Sequence, residues 1–176
     1  APAVPCRVFH TGPRRRRSEQ HSSTRRCNAF AHCPASNAKF GHGIAPILPF
    51  LAAGIRVGIG SDSVASNNRM DILDEARLAV LIHRAATRRH DAFGADEALE
   101  LATLGGARAL GIESRTGSLE VGKDADFAAF RTDTTRTTPI GDPYAAAVFA
   151  LPGRSAELVT VRGKVLVERG RVLAAD

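Results

Sequence analysis

Cysteine is scarce in this 176-residue chain: Cys6, Cys27 and Cys33 are odd in number and include no Cys-x-x-Cys pair. Neither a disulfide framework nor a structural zinc knot is built that way, so reduced thiols are expected. Long apolar runs are also missing. Nothing approaches the roughly eighteen consecutive apolar residues of a membrane-spanning helix, and no charged start leads into an apolar segment as in a signal peptide. No membrane contact is expected, and the cytoplasm is the expected location. Acid is nearly absent from one end only. Residues 1–27 hold seven of the 24 basic side chains but one of the 18 acids, Glu19, which leaves 17 of each sign for the rest. The net charge of +6 therefore belongs to the arm, and a basic globular body that grips nucleic acid is excluded.

The arm, residues 1–28, lacks a helical or strand period and, apart from Phe9, lacks aromatics that stack on bases. Disorder is expected there. Its four consecutive arginines, Arg14 to Arg17, could engage an acidic partner. On that alternative the chain is a non-catalytic binding module and its body a scaffold. A shifted reading frame would also give such an arm, making it non-native to the rest of the chain.

A regular pattern begins at Ala29. With 44% hydrophobic and 24% charged residues, the chain has the composition of one ordinary globular domain. Ala29 to Cys33 reads as a short strand stopped by Pro34. Ser36 to Gly43 reads as a loop, and Pro46 opens a helix through Ile47 and Leu51 that Gly54 closes. Ile55 to Gly60 is the next strand, so the order is that of a βαβ unit with parallel pairing. Asp71 starts a long amphipathic helix with Ile72, Leu73, Ala76, Ala79, Val80 and His83 at three and four residue steps. Two shorter helices are expected over 96–102 and 105–110, the second ended by Gly111. Beyond Gly117 the pattern turns to β: 127–130 is strand-like, and 158–161 and 164–167 flank the turn Arg162-Gly163.

The Ile- and Val-rich run of 55–60 stops at Ser61-Asp62-Ser63. In parallel α/β folds, residues just past the carboxyl ends of strands face the ligand crevice, which makes Asp62 the first functional candidate. An Asp in that place also commonly caps a helix or forms an Asx turn.

The segments His32-Cys33-Pro34-Ala35-Ser36-Asn37, Gly41-His42-Gly43-Ile44-Ala45-Pro46 and Gly60-Ser61-Asp62-Ser63, with Ser66-Asn67-Asn68 behind them, resemble the carboxyl-terminal half of the amidohydrolase superfamily. The branch they are most similar to deaminates or dechlorinates nitrogen heterocycles. Residues 102–111 and 117–127 resemble the segments by which that family leaves its barrel and enters a small β-sandwich.

The resemblance implies an α/β fold: the last part of a (β/α)8 barrel over 29–116, with 29–33 and 55–62 as its seventh and eighth strands, and part of a β-sandwich over 117–176. It implies that Asp62 binds one divalent metal, zinc in preference to iron, and takes the proton of the attacking water. Ser63, Asn67 and Asn68 could then contact a small nitrogen heterocycle, or equally bond the loop backbone and cap a helix. His32 is expected either to pack or to hydrogen-bond a neighbour of the metal, and His42 to serve in a turn. The family's His-x-His pair and its two further histidines are missing, so the chain resembles a fragment and is expected to be inactive alone. Two strands of an eight-stranded barrel also leave an edge at 55–59 open to aggregation or self-association.

Overall fold

The computed structural model describes residues 7–8, 29–135 and 137–173. The remaining residues of the arm, with the arginine run and the readings placed on it, lie outside the described residues. Among the described ones, three strands form a parallel sheet in the order β1 (Arg7–Val8), β2 (Ala29–His32) and β3 (Arg56–Ile59). Phe30 lies opposite Val57 and His32 opposite Ile59. Between the last two strands run α1 (Pro34–Lys39) and α2 (Ile47–Ala52). After β3 come α3 (Val64–Asn67), α4 (Ile72–Thr87), α5 (Ala95–Ala102) and α6 (Leu104–Leu110). A second sheet is antiparallel, in the order β4 (Phe127–Ala129), β5 (Leu158–Val161), β6 (Lys164–Glu168) and β7 (Arg171–Val172). A short α7 (Pro143–Ala145), continued by a π-helical turn over Ala146–Ala150, precedes its β5 strand.

Two sequence expectations are corrected. The sheet has three strands rather than two, because Arg7–Val8 pairs in parallel with Phe30 and Ala31. Two residues are too few to display a period of two, so no sequence pattern announces them. The span expected to be a loop after Pro34 begins with α1, for which Pro34 is an N-terminal residue. Proline there ends a strand and starts a helix at once, since its missing N–H is one that the first helical turn leaves unpaired anyway.

The long helix forms for reasons the sequence states. Asp71 caps it, its Oδ1 accepting the backbone N–H groups of Leu73 and Asp74 at 3.0 Å each. Asp74 and Glu75 then complement the positive end of the helix dipole. Its inner stripe of Ala76, Ala79 and Val80 is fully buried in a core cluster with Phe30, Val57, Ile47, Phe93 and Leu101. On β3, Gly58 sits so close to α6 that a Cβ added there would lie 2.7 Å from the Cα of Gly106. The two backbones touch directly.

Candidate active site

Asp62 follows β3 with φ at +60°, in the left-handed region that a residue with a Cβ enters at a cost of roughly 1 kcal/mol. Its surroundings hold it there. Ser36, itself buried, donates its hydroxyl to Asp62 Oδ2 at 2.7 Å, and the Ser63 N–H donates to Oδ1 at 2.8 Å. Ser61 Oγ donates to the Asp62 carbonyl at 3.2 Å. The carboxylate thus receives donors from two places, helix α1 after β2 and the turn after β3. Backbone strain concentrated at a charged residue just past a strand is typical of functional positions.

The other residues singled out from the sequence lie in α3 or cap it. The Ser63 hydroxyl caps α3 by accepting the Ser66 N–H at 3.2 Å. The Asn67 side-chain NH2 donates to the Ser61 carbonyl at 3.0 Å and to Glu75 Oε1. Asn68 ends α3 at φ +63°, and its Oδ1 accepts from Lys39 Nζ. Ser63 and Asn68 are exposed and Asn67 is half-buried. Two participants escaped the sequence reading. Ser36 fell within what reads as a loop. Glu75 lies four residues before Ala79 on the apolar stripe of α4, and an acid on an apolar stripe was the available signal.

His32 shares a face with Phe30, which belongs to the core cluster, and its ring centroid stands 5.5 Å from that of His83 on α4. It packs, as expected from the sequence. Both rings are buried, and His32 Nδ1, His32 Nε2 and His83 Nε2 have no hydrogen-bond partner among the described residues. Burial, and secondarily the charge of His83, lowers the His32 pKa from 6.5 to about 3. Burial also lowers that of His83.

Between those limits the unfolded chain binds protons that the native chain refuses, so stability falls as pH drops below 6.5. At pH 5 His32 alone accounts for a loss of about 2 kcal/mol relative to neutral pH. Glu75, whose pKa is raised by burial, acts in the opposite direction over its own window above 4.5. Urea midpoints measured from pH 7.5 to 5 should fall, and His32→Leu should flatten the curve; a wild-type curve already flat would refute the assignment.

A metal does not fit the described residues alone. Among the described residues no three His, Cys, Asp or Glu side chains lie together as a metal would require. A catalytic zinc takes about three protein ligands.

The chain is similar to known proteins over most of its length. A 5-methylthioadenosine/S-adenosylhomocysteine deaminase of Moorella thermoacetica is 42% identical over 146 residues, 83% of this chain and 34% of that protein. The crystal structure of an adenosine deaminase from Xanthomonas campestris with bound zinc superposes with a TM-score of 0.80 at 34% identity, covering 84% of this chain and 34% of the other. Atrazine chlorohydrolase from Arthrobacter aurescens, complexed with zinc, superposes with a TM-score of 0.77 at 40% identity, over 84% and 33% of the two chains. This chain thus spans about a third of the length of the relatives it matches. The model of the amidohydrolase family matches residues 10–166, starting within the arm and ending within β6. By sequence and by fold, the chain belongs to the amidohydrolase family.

Proposed function

We propose that this chain supplies the carboxyl-terminal third of a metal-dependent hydrolase that acts on a carbon–nitrogen bond other than a peptide bond, deaminating a nitrogen heterocycle. In this reading β2 and β3 are the seventh and eighth strands of a (β/α)8 barrel, and β4 to β7 are part of the sandwich beside it. Asp62 is the carboxylate that takes the proton from the attacking water. The observation that carries the reading is the strained Asp62 at the end of β3, its two oxygens fixed by donors from α1 and from the turn after β3. A carboxylate so oriented is a ready proton acceptor, since its geometry needs no rearrangement when the proton arrives.

Ser63 and Asn68, exposed on the following loop, are the residues proposed to meet the heterocycle. Asn67 contributes at most its carbonyl oxygen, because its NH2 group is already donated twice. The divalent metal, zinc before iron, belongs to the assembled enzyme, with its remaining ligands coming from outside the described residues. No turnover is expected from this chain alone.

Reconstitution tests the proposal. Residues 29–166 replace the corresponding segment of the Moorella thermoacetica deaminase, and ammonia release is followed with 5-methylthioadenosine, S-adenosylhomocysteine and adenosine, with chloride release from atrazine in parallel. Turnover of one of these supports the reading. A folded, zinc-loaded chimera that turns over none of them would overturn it.

A further inference from the structure

Glu75 is almost fully buried, at 2% exposure, one turn into α4. A carboxylate there is expensive: its desolvation is large, and Arg69, whose charge reaches it, is paired with Asp74 at 2.8 Å. A leucine or methionine would fill the position at less expense, so packing does not explain the choice. The two carboxylate oxygens do. Oε2 accepts the Ala35 N–H at 3.0 Å, in α1 after β2, and Oε1 accepts from the Asn67 side chain, at the end of α3 after β3.

Each of these contacts is one step from Asp62. Ala35 precedes Ser36, whose hydroxyl holds Asp62 Oδ2, and Asn67 also holds the carbonyl of Ser61, the residue before Asp62. We infer that Glu75 is the positioning residue of this site, a clasp that ties α1 to α3 and so keeps Asp62 in its left-handed conformation.

The geometry requires the ionised carboxylate. Both oxygens face N–H donors, so a proton on either would point at another hydrogen. Two charge-assisted hydrogen bonds in a dry environment are strong enough to hold a backbone conformation that its own sterics disfavour. A glutamine at 75 has one acceptor oxygen in place of two. Its NH2 then meets either the Ala35 N–H or the Asn67 NH2; if Asn67 turns its oxygen to receive it, the bond to Ser61 is lost.

The functional weight of the clasp rests on the reading of Asp62 as the reactive carboxylate, but its test requires no turnover. In the full 176-residue chain, isotope-labelled, the backbone chemical shifts of Asp62 report whether φ is positive, and amide exchange reports the clasp. Glu75→Gln should move Asp62 out of the left-handed region and speed exchange at Ala35 at least about tenfold, with the amides of Val80 and Leu101 unchanged.

Asn67→Ala, which cuts the same clasp from the other side, should displace Asp62 as well. A merely structural role would speed exchange throughout and leave the Asp62 backbone in place, and that result in either variant overturns the inference. Should Glu75→Gln fail to fold, Asn67→Ala decides alone. An inactive chimera with Asp62 still released by these variants would defeat the hydrolase reading and leave the clasp standing.

Discussion

Asp62→Asn in the reconstituted enzyme should lower kcat about a thousandfold while shifting unfolding by less than about 1 kcal/mol. Asparagine has nearly the shape of aspartate and keeps one acceptor oxygen for the Ser63 N–H. Its NH2 can face Ser36, whose hydroxyl is free to turn and accept where it previously donated. The fold therefore loses little. What disappears is the ability to take a proton, because an amide oxygen is far too weak a base, and general-base groups contribute about 10² to 10⁴ in rate. The measurement pairs kcat with a urea midpoint on the same preparation. A drop of tenfold or less would remove Asp62 from the chemistry, and a parallel collapse in stability would recast it as a structural residue.

Phe93→Ala should cost about 3 to 5 kcal/mol, lowering the thermal midpoint by roughly 10 °C. Phe93 is fully buried in the core cluster with the inner stripe of α4 and the buried face of α5. Its ring meets His83 edge-on with centroids 5.8 Å apart, and its carbonyl accepts from Arg84 Nε at 2.9 Å. The backbone bond survives truncation, so the segment stays in place and cannot collapse into the void. A cavity that cannot close gives the upper end of the usual range. The new space also borders a ring with an unpartnered nitrogen, His83 Nε2, so entry of water would recover part of the loss. Thermal unfolding of the variant measures the effect. A loss under about 1 kcal/mol would mean that the region repacks freely.

The elements with strong local signals were legible in the sequence. The 72–87 helix, its Asp71 cap and the hairpin formed by β5 and β6 follow from helical spacing, capping chemistry and the turn at Arg162-Gly163. The elements that were missed depend on tertiary partners. Strand β1 exists because β2 offers it a free edge, and two residues carry no pattern of their own. Helix α3 has four residues and is held by the Ser63 cap and the left-handed Asn68, features that read equally well as an ordinary polar loop.

For the site, strand-end position and motif pointed to Asp62, but its strain and its partners could not be read. Ser36 lies 26 residues away in sequence, and Glu75 reaches Ala35 across 40. Such pairings are set by how β2, β3 and α4 stack, not by any local preference.

The contact between Gly58 and Gly106 sets a mechanical property of the chain. On its other face β3 is cushioned by the side chains of the core, which can change rotamer and absorb a displacement of some tenths of an ångström. Bare backbone against bare backbone has no such compliance. A shift of β3, and of the Asp62 it carries, would be passed to α6 with little side-chain give, and α6 in turn packs against Gly117, where an added Cβ would lie 2.7 Å from that of Ala107. The strand bearing the carboxylate and the segment leading to the second sheet are therefore expected to move together.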